Sequence, residues 1–130
     1  MQRHRRWTSW ALRLLVLTTV LGLAGCEPAE PGDGTSAGTA GASCWGIKQA
    51  HPDSANGTYW LWTAQLDRPG QYYCDMTTDG GGWVLVGRGR NGWTWHPDGQ
   101  GSAEAVRTAV DGPAAFAPAA LDTATVNGLL

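Results

Sequence analysis

Three cysteines, at positions 26, 44 and 74, carry the most reactive side chains of the sequence. Cys26 follows Leu23-Ala24-Gly25, which resembles the bacterial lipobox, where the cysteine thiol takes a diacylglyceryl group and becomes the acylated N-terminus. Two or more acyl chains hold a protein stably on a membrane where one chain is marginal. We therefore expect Cys26 to anchor the protein in a bacterial cell envelope, at the outer membrane or the cell surface. An ordinary secretory signal with a chance cysteine is the alternative.

The first 25 residues have the pattern of an export signal. Four arginines precede the apolar stretch 14–23, which is too short to cross a bilayer core about 30 Å thick. Export leads to an oxidising compartment, so we expect Cys44 and Cys74 to form a disulfide bond. Removing residues 1–25 also removes four of the nine basic residues and none of the eleven acidic ones, which leaves a formal charge of −6. Such a chain is a poor candidate for binding nucleic acid, and lipid alone would hold it on a membrane.

Acidic and histidine side chains are the candidates for metal binding and acid–base catalysis. His96, Asp98 and Glu104 could ligate a metal ion, but their spacing is not diagnostic and the segment around His96 is also an ordinary turn. Asp75 and Asp79 fall in a predicted strand and a predicted turn, which does not place them as an acid–base pair. The sequence contains no H-E-x-x-H motif. It therefore predicts no catalytic residue, no cofactor-binding residue and no metal ligand.

A glycine-rich and tryptophan-rich segment offers the clearest candidates for ligand contact. Residues 87–92 fit the pattern G-x-G-x-x-G, but no helix follows them, so the pattern indicates a loop and not a dinucleotide site. Trp93 and Trp95 come next in a polar context. A flat exposed ring can stack on a sugar, whereas a buried ring belongs to the core. Both interpretations remain open for Trp93 and Trp95, which are the candidate ligand contacts.

Three stretches rich in aromatic and β-branched residues, 57–63, 71–76 and 83–86, predict the strands of an antiparallel meander. Between the last two lies Asp79-Gly80-Gly81-Gly82, where the turn needs positive φ angles and Asp79 is expected to supply turn hydrogen bonds. Three glycines exceed the needs of one turn, which indicates close approach of a bulky ring or another backbone segment, with Trp83 the nearest candidate. Trp83 itself is expected to start the third strand as a core anchor.

The two ends of the chain outside this meander have different predicted roles. Residues 26–43 are mainly Pro, Gly, Ala, Ser and Thr, which predicts a flexible linker. Near the other end, Asp122 is positioned to cap a short helix with an apolar stripe. The predicted organisation is a signal peptide at 1–25, a linker at 26–43 and a small α+β domain at 44–130.

Three ordered segments resemble the N-terminal part of fibrinogen-related domains. They are SCWGIK at 43–48, SANGTY at 54–59 and YCDMTTDGGGWVLV at 73–86, and GSAEA at 101–105 is similar to intelectins, which are calcium-dependent lectins. The resemblance implies the same Cys44–Cys74 pairing and a small antiparallel meander with short helices, the N-terminal subdomain of an incomplete fibrinogen C-terminal-like fold. It also implies a structural motif made of Asp75, Gly80, Gly81, Gly82 and Trp83.

In the resembling family, ligand and calcium sites are built mainly from the later half of the domain. The resemblance therefore implies no cofactor in this chain, although a complete domain could hold calcium. We expect an envelope-tethered, non-catalytic recognition module for a glycan or an acetylated group, with its ligand site largely outside this chain. The alternatives are an envelope hydrolase with catalytic residues in a further C-terminal part, and a fragment without a function of its own.

Overall fold

The computed structural model describes residues 30–108 and 112–130 of the chain. The predicted signal peptide 1–25 and Cys26, with its predicted lipid, lie outside the described residues. In the described part, no helix is both long enough and apolar enough to cross a membrane. The helices and strands, in chain order, are α1 (Cys44–Ala50), β1 (Gly57–Leu61), β2 (Gly70–Asp75), β3 (Trp83–Val84), β4 (Gly87–Arg88), α2 (Ala103–Thr108), β5 (Ala119–Ala120) and α3 (Thr123–Leu129).

Strands β1, β2 and β3 form an antiparallel sheet in that order, which confirms the predicted meander. Gly57 lies opposite Cys74 at one end of the β1–β2 pair, and Leu61 lies opposite Gly70 at the other. The third strand is shorter than predicted, although the Leu85 amide still donates to the Tyr73 carbonyl at 3.0 Å. The described residues thus combine antiparallel sheets with short helices, consistent with the α+β class.

A disulfide between Cys44 and Cys74 joins the first turn of α1 to the end of β2. Both cysteines are buried, and apolar side chains from helices and strands pack around them. Because β1 and most of β2 lie within the closed loop, the bond fixes the sheet against α1. The large fully buried side chains in this core are Ile47, Leu61, Met76, Val106 and Leu121.

A second, two-stranded sheet brings the later part of the chain back to the meander. Strand β4 pairs with β5 in antiparallel register, with Gly87 opposite Ala120. The Leu121 amide then donates to the Val86 carbonyl at 2.8 Å. Helix α3 follows, and the Asp122 side chain accepts a hydrogen bond from the Thr125 amide at 2.8 Å, as the sequence predicts.

Residues 34–41 lie along β1 instead of forming the flexible linker that composition predicts. The Gly34 carbonyl accepts from the Trp60 amide at 2.8 Å, and the Gly41 amide donates to the Trp60 carbonyl at 3.0 Å. Gly41 also accepts from the Trp62 amide at 2.9 Å. These contacts need only backbone groups and small residues, so the lack of large apolar side chains did not prevent packing. Backbone pairing with β1 accordingly begins before the predicted boundary at residue 44.

Candidate functional site

The turn between β2 and β3 is organised by Asp75. One carboxylate oxygen of Asp75 accepts hydrogen bonds from the Thr77 and Thr78 amides, each at 2.9 Å. These N–H groups stabilise the charged form and hold the pKa of Asp75 well below its usual range. The prediction that Asp79 supplies the turn hydrogen bonds is therefore wrong. The residue at the start of the turn, not the one at its tip, reaches the exposed amides.

All three glycines of this turn have positive φ angles, as predicted: 92° at Gly80, 78° at Gly81 and 89° at Gly82. Two of them also allow close approach of other groups. A Cβ atom on Gly81 would lie 2.1 Å from the Met76 carbonyl oxygen, and one on Gly82 would lie 2.8 Å from the Cα and Cε3 atoms of Trp45. The predicted close approach is present, but the ring involved is that of Trp45 and not Trp83.

Trp83 is not the core anchor that its place at the start of β3 suggested, because 58% of it is exposed. In the register of the sheet, Trp83 lies opposite Asp75, while the next residue, Val84, lies opposite the buried Cys74. Neighbouring residues on a strand point to opposite faces, so Trp83 points outward. Its indole Nε1 donates to the Thr78 carbonyl at 2.9 Å, which fixes the ring on the surface of the turn.

A cleft of about 260 Å³ lies between the two exposed indoles at this turn. Trp45, which is 55% exposed, stands on α1 directly after the disulfide-bonded Cys44 and covers Gly82. The three glycines predicted that a bulky group packs against the turn, but they did not identify it. The Cys44–Cys74 bond brings α1, and with it Trp45, to this turn. We call this the indole cleft, and its lining residues are Trp45, Asp79, Gly81, Gly82 and Trp83.

A second aromatic surface lies on the loop after β4, where Trp93 and Trp95 are 40% and 45% exposed. The Gln100 side chain forms hydrogen bonds with the backbone on both sides of Trp93. Its Oε1 accepts from the Thr94 amide at 3.0 Å, and its Nε2 donates to the Gly92 carbonyl at 2.9 Å. The structure therefore brings both candidate ligand contacts to the surface on a loop with a fixed course.

The base of this loop is packed against the segment that leads into β5. Gly89 has a φ of 151°, and a Cβ there would lie 3.2 Å from Trp93 and 2.9 Å from Pro118. The Arg90 guanidinium lies 5.5 Å from the centre of the exposed Phe116 ring. Exposed aromatic rings and a cationic hydrogen-bond donor thus lie in the same loop region, a combination that suits a ligand with an apolar face and polar edges.

The described residues contain no group of three His, Cys, Asp or Glu side chains that could hold a metal ion. His96 and Asp98 are both exposed in the loop before α2. Calcium binding by a complete domain stays a prediction.

Comparison with known proteins finds partial similarities. Tenascin-R of Rattus norvegicus is 46% identical over 43 residues, which are 32% of this chain and 3% of the relative. Tenascin-N of Mus musculus is 42% identical over 45 residues, which are 34% of this chain and 3% of the relative. The similarity is local.

A lectin also matches, over a longer segment. Echinolectin 1 of Echinometra lucunter is 34% identical over 62 residues, which are 48% of this chain and 26% of the relative. The chain thus spans only a small part of the length of the relatives it matches. No family model matches the chain, and neither does a solved structure. The partial similarities support, without establishing, the resemblance to a fibrinogen C-terminal-like domain.

Proposed function

We propose that the protein is a non-catalytic recognition module with a fibrinogen C-terminal-like domain, and that it binds a glycan or an acetylated surface group. The observation that carries this proposal is the exposure of Trp93 and Trp95 on a loop held by Gln100. The similarity to a protein named as a lectin supports it. The loop offers contacts to such a ligand.

The loop can supply both kinds of contact that a sugar needs. An indole face packs against the C–H groups of a pyranose ring, and hydrogen-bond donors such as Arg90 can meet its hydroxyl or acyl oxygens. The two hydrogen bonds from Gln100 fix the loop before a ligand arrives. A fixed loop lowers the entropy cost of binding, which matters most for a weak and shallow site.

Replacing Trp93 and Trp95 together by alanine is expected to weaken glycan affinity by at least about fivefold, because each aromatic contact contributes about 0.5–1.5 kcal/mol. The measurement is calorimetric titration of the protein and of the variant with a glycan that the unaltered protein binds. Trp62→Ala is the matched control, since Trp62 is also half exposed but lies directly after β1, away from this loop in the chain. Equal affinity of the double variant and the unaltered protein would remove the loop from the ligand site.

We also propose that Cys26 carries lipid and tethers the module to a bacterial cell envelope. The support is the leader pattern of residues 1–25 and the lipobox-like sequence before Cys26. The excess of acidic residues argues against nucleic acid as a partner and against a tether made by charge.

Cells that express the protein and are fed a labelled fatty acid should transfer the label to the unaltered chain and not to Cys26→Ser. The variant should also leave the membrane fraction, because it has no site for the acyl chains that hold the protein there. Label retained by Cys26→Ser would contradict the anchor.

A further inference from the structure

We propose that the indole cleft binds a quaternary ammonium group, such as the trimethylammonium end of a choline-like ligand. This inference goes beyond glycan recognition and does not depend on it, because the cleft is made by α1 and the turn before β3 and shares no residue with the Trp93–Trp95 loop. The two rings, the charge around them and the size of the cleft all favour such a ligand.

The two rings of the cleft are exposed and yet held in place. The Trp83 indole is fixed by its hydrogen bond to the Thr78 carbonyl at 2.9 Å. Trp45 is fixed from below, because it stands on α1 next to the buried disulfide and lies against Gly82. Tryptophan is the aromatic side chain that attracts cations best, and rings held in advance lose little freedom when a cation binds.

The charge around the cleft favours a cation. Its lining includes the acidic residue Asp79 and no lysine, arginine or histidine. Among the described residues, no hydrogen bond or ion pair involves the Asp79 carboxylate. The ionised Asp75 lies opposite Trp83 across the strand pair and adds negative charge at the same turn. An anionic ligand would be repelled here, whereas a cation meets two indoles and a carboxylate.

Asp79 occupies its position through an unusual backbone conformation. Its φ is 49°, and it is the one described residue other than glycine with a positive φ. Aspartate and asparagine tolerate this left-handed region better than most side chains. Asp79 lies in the lining of the cleft in this conformation. Asp79→Asn is therefore a suitable test variant, because asparagine removes the charge and tolerates the same backbone conformation.

The size and polarity of the cleft indicate an ammonium covered by methyl groups. Its volume of about 260 Å³ is smaller than the roughly 300–1,000 Å³ of sites for drug-sized molecules, so it suits a small headgroup. A primary ammonium has three N–H donors to satisfy, and Asp79 offers the one acidic side chain of the lining. A trimethylammonium group has no N–H donor and presents its methyl groups to the rings.

The test is a titration of the full chain with choline chloride, followed by NMR of the indole N–H groups. Its matched control is 3,3-dimethylbutan-1-ol, a neutral molecule of nearly the same shape. We expect choline to shift the indole signals of Trp45 and Trp83 and to bind at least about fivefold more tightly than the neutral alcohol. No binding of choline, or equal binding of the two compounds, would overturn the proposal.

Three variants complete the test. Trp45→Leu and Trp83→Leu should each weaken choline binding by about two- to fivefold, the effect of one exposed cation–π contact. Asp79→Asn should weaken choline binding and leave that of the neutral alcohol unchanged, a result that a general loss of folding would not give. Choline affinity unchanged in all three variants would overturn the proposal. Glycan binding should be the same in Asp79→Asn and the unaltered protein, so the two functions can fail separately.

Discussion

Replacing Cys44 and Cys74 together by alanine is expected to lower the free energy of unfolding by about 3 to 4 kcal/mol. The bond closes a loop between residues 30 positions apart, and the chain-entropy model gives roughly this value for a loop of that length. Loss of the two buried sulfur atoms adds to the effect, because the core around them is left less well packed. Urea unfolding followed by circular dichroism measures the difference.

This loss is large for a protein of this size. A small domain buries a limited fraction of its surface and is only marginally stable without added constraints. The double variant should therefore be partly unfolded at 37 °C, and reduction of the unaltered protein should reproduce much of the same loss. A difference below about 1 kcal/mol would show that the bond does not restrict the unfolded chain as the model assumes.

Gly81→Ala is expected to destabilise the protein by more than about 2 kcal/mol. The backbone at Gly81, with φ 78° and ψ −175°, lies in a region used essentially by glycine alone. In addition, the new Cβ would lie 2.1 Å from the carbonyl oxygen of Met76, so the backbone itself would have to move. The same urea unfolding experiment measures the loss.

Gly80→Ala is the matched control for this prediction. Gly80 also has a positive φ, 92°, but a Cβ there would meet no atom within 4 Å. Gly80→Ala should therefore lower the free energy of unfolding only by the cost of the left-handed conformation, about 1–2 kcal/mol. Equal losses of unfolding free energy in the two variants would mean that the turn shifts to accept the new methyl group at position 81. Close packing would then not explain why glycine is found at this position.

The sequence predicted those features that depend on local pattern. Aromatic and β-branched runs located the three strands, and the positive φ angles followed from the glycines. The short helix α3 was found from Asp122, whose side chain caps it. The disulfide was predicted from the expected export of the chain and from the pair Cys44 and Cys74.

Features that depend on contacts between distant segments were missed. Strands β4 and β5 have two residues each and lie more than 25 residues apart, so neither has a recognisable pattern. Residues 34–41 pair with β1 through their backbone, which composition does not show. The indole cleft was missed for the same reason, because it needs the disulfide, the strand register and α1 together to bring Trp45 to Trp83.

This protein is proposed to recognise glycans without catalysing a reaction on them. A glycan array that includes acetylated and unacetylated surface sugars tests this function, with the unaltered protein applied in the presence of calcium and again with a chelator. We predict that the protein retains a defined subset of the glycans and releases each of them chemically unchanged. Failure to retain any glycan under either condition, or release of a cleaved or deacetylated product, would contradict the proposed function.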